Sequence, residues 1–334
     1  MARFPVIRLL FALAAGALVL RGANPAAALR DYADLREWGQ AYGLQVTWPE
    51  PGRRLELKSR WTTLEFESGS REASWNGIRL FLGEPAQARG NSLVVSPTDL
   101  RAVLRPLVDP AAEPARDGPQ VVAIDAGHGG GDPGTENRAL KMQEKTYTLD
   151  VARRLKEDLE RRGFRVVMVR STDMRLARTQ ATDLKRRAAV ANRAAADLFI
   201  SIHFNSLPRD AATSGVETYA LTPASQRSTA AATRSRSDRT VHPGNHQDHW
   251  NAVLGAAVHR RLLARLGAVD RGLKRARFAV LREVRCPAIL VEAGFLSNRA
   301  EARRVATPAY RQDIAEAIAD GIGDYAMRAR PGRG

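Results

Sequence analysis

Cysteine is almost missing from this sequence: Cys286 is the only one in 334 residues. It cannot close an intramolecular disulfide, so cystines do not staple the fold. It precedes Pro287 at the start of an apolar run and reads as a buried structural thiol. No His lies near it in sequence, which argues against a catalytic cysteine. Aromatic residues are also scarce, at 6%. The positive charge therefore lacks the stacking platform that single-stranded nucleic acid requires. Acidic residues are outnumbered, 36 Asp and Glu against 52 Lys and Arg, leaving a formal charge of +16. Such a chain suits a polyanionic partner. Nucleic acid is one class and the cell envelope, with its carboxylates and phosphates, is the other; much of the charge can also be plain solvated surface.

Long apolar runs are lacking as well. Leu9–Leu20 is too short to span a bilayer comfortably. With Arg3 and Arg8 before it and Ala26-Ala27-Ala28 after it, residues 1–28 read as a secretory signal. The alternative is an uncleaved anchor. Export to the periplasm or cell envelope is the expectation, and it favours the envelope over nucleic acid as the polyanion.

Two parts follow. Residues 29–108 open with a helical stretch, Asp31–Tyr42, followed by short β-like runs at Leu44–Trp48, Arg54–Lys58, Thr62–Phe66 and Ile78–Phe81. Pro51-Gly52 and Asn76-Gly77 are turn signals between them. This predicts a small α+β or mostly β module, without His and hence non-catalytic. Its Ala73–Gly77 and Val95–Leu100 segments loosely resemble the N-terminal domain of copper amine oxidase. Residues 109–119 are rich in Pro, Ala and charge, as in a linker. Residues 120–328 alternate β and α patterns, and 329–334 form a tail. Strands are expected at Val121–Asp125, Arg165–Val169, Leu198–His203, Gly215–Leu221, Ala279–Arg282 and Ala288–Glu292. Helices are expected at Gln143–Arg162, Leu184–Ala196, Asn251–Leu266 and Tyr310–Met327. The alternation predicts an α/β domain whose sheet is covered on both faces.

In such sheets functional residues collect at strand ends. His128 follows one strand in a glycine-rich loop, His203 ends another, and Glu292 ends a third made of Ile, Leu and Val. Glu144 opens the helix after the His128 loop. Two His and one carboxylate suffice for a hydrolytic zinc site with an open position, and a second carboxylate can serve as base. Poor solvation would raise Glu292 toward a useful basicity. Each residue also has a plainer role: a strand-end His as a structural hydrogen-bonder, Glu144 as a partner of the helix dipole, Glu292 as half of an ion pair.

Four segments in order carry a resemblance: Ile124-Asp125-Ala126-Gly127-His128-Gly129-Gly130, Glu144-Lys145, Ser201-Ile202-His203-Phe204-Asn205-Ser206, and Val291-Glu292-Ala293-Gly294-Phe295-Leu296-Ser297-Asn298. Together they resemble the zinc-dependent N-acetylmuramoyl-L-alanine amidases of the type 3 family, with supporting pieces at 187–192 and 215–221. The resemblance implies a three-layer α/β/α fold with a mostly parallel or mixed sheet. It implies one Zn2+ held by His128, Glu144 and His203, with Glu292 as catalytic acid and base. The substrate it implies is peptidoglycan, cut between N-acetylmuramic acid and L-alanine, by a monomer. Any activator protein, and the preferred stem peptide, stay open. Asp125 and Asn205 are candidates to orient substrate or a ligand His, or to serve structure alone. Ala126 and Phe204 stand where the family often has Pro and Ala, and Phe204 is expected to narrow the cleft. Two other readings are an idle wall-binding protein on the same fold and a zinc peptidase acting on stem peptides.

His242, His246 and His249 are close enough to suggest a second metal. They follow a Ser/Thr/Arg-rich stretch, 225–240, that reads as a mobile loop bordering the cleft and gating it or binding glycan. The three His are expected to be bystanders.

Overall fold

The computed structural model describes residues 32–112 and 118–329. The expected signal segment, the middle of the expected linker and most of the tail lie outside the described residues. No described helix is long and apolar enough to cross a membrane.

One mixed sheet of eleven strands organises the chain. Its first five strands are β1 (Gln45–Glu50), β2 (Arg54–Lys58), β3 (Thr63–Glu67), β4 (Glu72–Trp75) and β5 (Ile78–Phe81). The other six are β6 (Val121–Ala126), β7 (Arg165–Met168), β8 (Leu198–Asn205), β9 (Val216–Leu221), β10 (Asp270–Ala276) and β11 (Ala288–Phe295). The spatial order is β7-β6-β8-β11-β9-β10-β5-β4-β3-β2-β1. Strands β7, β6, β8 and β11 run parallel, whereas β9 is antiparallel to β11. The α-helices of five or more residues are α1 (Leu35–Ala41), α2 (Glu144–Arg161), α3 (Gln180–Arg193), α4 (Asp248–Leu266), α5 (Ala279–Glu283), α6 (Arg299–Ala306) and α7 (Pro308–Ala329), with shorter turns at Pro97–Asp99 and Arg105–Val108 among others.

The central strands are apolar on both faces because helices cover both. Leu198, Ile200, Ile202 and Phe204 of β8 pack with Ile289, Val291 and Ala293 of β11 against α2, α4 and α7. The alternate residues Phe199, Ala288 and Leu290 pack under α3 and α5. Helix α2 presents Leu149, Ala152, Leu155 and Leu159 as a buried stripe at helical spacing. Its end is fixed by Gly163 at φ 88°, the left-handed residue that closes a helix. Cys286 is buried in the core beneath α5.

Residues 32–108 have a core of their own, with Leu35, Leu57, Phe66, Trp75 and Leu80, but α4 contributes Ala256 to it. Their strands continue the sheet through Leu80, which pairs with Leu273 of β10. The Arg71 guanidinium donates to the carbonyls of Ser228 (3.0 Å) and Ala231 (3.1 Å). In the expected linker, Pro110–Ala112 forms a helical turn.

Two expectations about elements are corrected. Ala279–Arg282 is helix α5, not a strand. A short apolar run does not by itself distinguish the two, and here Val280 and Leu281 cap the core from above the sheet. Residues 225–240 do not border the cleft. Arg277 donates to the carbonyls of Pro223, Gln226 and Asp238 and pairs with the Asp238 carboxylate at 2.9 Å. Because β9 runs against β11, this segment leaves the sheet at the wrong end for a gate. Ala220 pairs with Ile289, three residues and so about 10 Å before Glu292 along β11.

Candidate metal centre

The parallel strands deliver their functional residues to one end of the sheet. His128 comes two residues after β6, while His203 of β8 pairs with Glu292 of β11. His203 and Glu292 lie within their strands, not at their ends: β8 runs on to Asn205 and β11 to Phe295. Glu144 is the first residue of α2, and its buried carboxylate lies between the two imidazoles. Oε2 is 3.1 Å from His128 Nε2, and Oε1 is 2.9 Å from His203 Nδ1. Ligand atoms from these three residues lie within 4.8 Å of one another. Among the described residues they form the one His/Cys/Asp/Glu group able to hold a metal in this way.

Burial alone would push Glu144 up, but the two imidazoles hold it well below the usual carboxylate range. His128 responds to burial, which lowers it, and to Glu144 and Asp132, which raise it; the net direction is up. Asp132 lies 3.0 Å from His128 Nδ1 and orients the ring from behind.

Backbone geometry makes room for these side chains. His128 itself is left-handed, at φ 62°, a conformation held only where surroundings impose it. A Cβ on Gly127 would stand 2.3 Å from the His203 ring, and one on Gly134 would stand 2.6 Å from both Glu144 Oε2 and the His128 ring. The imidazoles and carboxylate occupy space that any other residue would fill. A donor set of two imidazoles and one carboxylate, cradled this way, fits Zn2+.

Two buried arginines fix the His128 loop. Arg170 donates to the carbonyls of Ala126 (2.8 Å), Gly127 (2.9 Å) and Lys145 (2.8 Å). Arg187 donates to the His128 carbonyl at 2.6 Å and pairs with Asp125 at 2.8 Å and Asp183 at 2.6 Å. In the sequence Arg187 stands out only inside a supporting motif, and Arg170 does not stand out at all. Nothing in an isolated arginine says that it will cap carbonyls.

Glu292 has the opposite electrostatics to Glu144. Its Oε2 is buried without a hydrogen-bond partner among the described residues. Burial raises its pKa well above the ordinary value, the charges of Glu144 and Glu217 add to the rise, and Lys274 opposes it. Glu217, which sequence reading missed, is buried opposite Glu292 on β9. It accepts from Lys274 Nζ (2.5 Å), Arg271 Nε (3.2 Å), Tyr219 OH (2.8 Å) and Asn205 Nδ2 (2.9 Å). Despite burial, these donors keep Glu217 below its usual value. The two neighbouring carboxyls are thus shifted in opposite directions, Glu217 down and Glu292 up.

The other candidates are placed as follows. Asp125 is buried, and its oxygens accept from Arg187 and from Ser201 Oγ at 2.9 Å, which supports its structural alternative. Asn205 orients Glu217 and accepts from Ser206 N. Phe204 does not narrow the cleft: strand alternation turns it to the opposite face, into the core with α2 and α7. His249 Nε2 lies 3.0 Å from the Pro110 carbonyl, and His242 caps a short helical turn. They and His246 lie in the segment that leaves the sheet away from the metal centre.

The order of these residues along the chain can be compared with known proteins. The family described as N-acetylmuramoyl-L-alanine amidase, type 3, matches residues 122–324. The chain is 33% identical over 231 residues to N-acetylmuramoyl-L-alanine amidase AmiC of Escherichia coli, covering 63% of this chain and 54% of that protein. It is 30% identical over 215 residues to a germination-specific amidase of Bacillus subtilis, covering 62% of this chain and 79% of that protein. Among solved structures, an N-acetylmuramoyl-L-alanine amidase from Clostridium difficile 630 superposes with a TM-score of 0.51 at 29% identity. That match covers 65% of this chain and all of the other. The chain thus spans about half the length of the AmiC relative. With the motifs in register on the fold that places them at one site, the chain belongs to the type 3 N-acetylmuramoyl-L-alanine amidase family.

Proposed function

We propose that this protein is a zinc-dependent hydrolase of peptidoglycan, cutting the amide between N-acetylmuramic acid and L-alanine. One observation carries the reading: three ligand atoms within 4.8 Å of one another stand beside a buried, unpartnered Glu292 oxygen. His128, Glu144 and His203 would hold the ion. When bound, Zn2+ supplies Lewis acidity and brings the pKa of water toward neutrality.

The chain's own residues do the rest. Glu292, held above its ordinary pKa, takes the proton of the attacking water and delivers it to the departing L-alanine nitrogen. Asp132 fixes the His128 ring, and Arg170 and Arg187 keep its loop in place. Glu217 and its cations form the wall beside Glu292. Asn205, bonded to Glu217, holds that wall against the His203 strand.

Residues 29–108 are assigned a non-catalytic role, since the ligand group lies wholly outside them. An exported enzyme acting at the cell envelope accords with this substrate, and the basic surface suits an anionic wall. The decisive experiment incubates purified protein with sacculi, with and without chelator, and identifies products by mass spectrometry. Free stem peptides beginning with L-alanine, made only without chelator, are expected. Intact material, or cuts within the peptide, would overturn the reading.

A further inference from the structure

Beside the metal centre lies an open cleft of about 680 Å³ whose cations the mechanism above does not use. It is lined by Gly130 and Gly131 of the His128 loop and by Arg175, Arg178 and Arg186. The N-terminus of α3, capped by Thr179, forms its floor. Arg175 is packed hard against the loop: a Cβ on Gly130 would lie 3.0 Å from its N and 3.1 Å from its Cγ. Its Nε is buried and has no hydrogen-bond partner among the described residues.

The nearby acids are already engaged. Asp183 pairs with Arg187 and accepts from Leu176 N. Asp173 pairs with Lys145 at 2.8 Å and accepts from Gly130 N at 2.7 Å. Asp132 is turned toward His128. Arg186 donates to the Leu176 carbonyl, so it holds the rim, while Arg175 and Arg178 are the cations left for a ligand. Two guanidinium side chains lining one cleft, next to a helix N-terminus, select an anion with planar oxygens.

Distance picks out which anion. Gly130 is two residues from His128, so their Cα atoms are at most about 7 Å apart. One residue step along a substrate peptide beyond the scissile amide covers a similar span. Resting on the amidase reading, we propose that the Arg175–Arg178 cleft binds the carboxylate of the acidic second residue of the stem peptide. The enzyme would thereby distinguish stems that carry a free carboxylate there from stems in which it is amidated.

The test uses the metal-loaded full chain and two soluble muropeptides that differ only at that group, D-isoglutamate against D-isoglutamine. Wild type should favour the acid about tenfold in kcat/KM, mostly through KM, the scale of one charge-assisted hydrogen bond. In Arg175→Gln/Arg178→Gln the ratio of the two substrates should fall toward one. The ratio cancels any general effect of the substitutions on the neighbouring metal ligands. A wild-type ratio near one, or a ratio unchanged in the variant, overturns the proposal.

If neither muropeptide is cut, the amidase reading fails, and the cleft is judged by calorimetry on metal-free protein with the same pair. Acid bound over amide, with the difference lost in the variant, supports the cleft. Equal binding of the two overturns it. So does displacement of the acid by equimolar inorganic phosphate, which would mark an unselective anion patch.

Discussion

Glu217 and Glu292 sit opposite each other on β9 and β11, yet the cations of this wall all go to Glu217. Lys274 and Arg271 bond its Oε1, and Glu292 keeps an oxygen without a partner. Glu217→Gln removes a negative neighbour and releases Lys274 toward Glu292. Both changes favour ionised Glu292 and lower its pKa. The acid limb of the kcat/KM profile should move to lower pH, because it reports ionisation of the base in free enzyme. A limb that stays in place or moves up would show that the two carboxyls are not coupled.

Glu292→Gln should retain the metal and lose hydrolysis by at least about a hundredfold, the lower range for general acid–base groups. Metal content by atomic absorption and turnover on sacculi check the two halves separately. The same variant has a stability signature. A carboxyl whose folded pKa is raised costs stability once pH passes its unfolded value, and increasingly so until the folded value is reached. Metal-free Glu292→Gln should therefore unfold at a higher temperature than wild type at neutral pH. The gain should disappear below the ordinary carboxyl range, and a thermal melt at two pH values decides it.

Gly127→Ala puts a methyl where the His203 ring now stands. The ring must move, and metal affinity should fall at least about tenfold to a hundredfold, as for other disturbances that misorient a ligand. Circular dichroism should show the fold retained. Unchanged metal titration would mean that the loop can retreat without cost.

Arg187→Met leaves Asp125 and Asp183 buried without their cation and frees the His128 carbonyl. Removing one partner of a buried pair typically costs about 3–5 kcal/mol, read as a shift in denaturant midpoint at constant slope. A loss of a few tenths would show that water replaces the guanidinium.

A chain beginning at residue 118 would expose Leu273 and Ala256, which now pack against the first core, and leave β10 unpaired on one side. It should melt below the full chain or aggregate on purification. Equal melting temperatures would show that residues 32–108 add nothing to the stability of the rest.

The three residues of the candidate metal group are legible in the sequence because each lies in a short motif whose residue types suit that chemistry. The elements that support them are not. Strand β10, Asp-Arg-Gly-Leu-Lys-Arg-Ala, has no hydrophobic alternation, since its Lys274 and Arg271 point at Glu217 and not at a core. Without that alternation, neither the wall beside Glu292 nor the junction with Leu80 shows in the sequence. Residues 225–240 look like a loop by composition, but their order comes from Arg71 and Arg277 bonding to carbonyls, which composition does not encode. Phe204 was misplaced for a simpler reason: a one-residue step along a strand changes the face.

The pairing of β5 with β10 has a consequence for solubility. A catalytic sheet that stopped at β10 would offer a row of open N–H and C=O groups to any passing strand, the usual start of edge-to-edge aggregation. Here the sheet continues to β1 instead. That last strand carries Pro49, which donates nothing, Glu50, and a break in register between Thr47 and Glu50. The leading module thus moves the vulnerable edge of the enzyme to a strand built to refuse a partner.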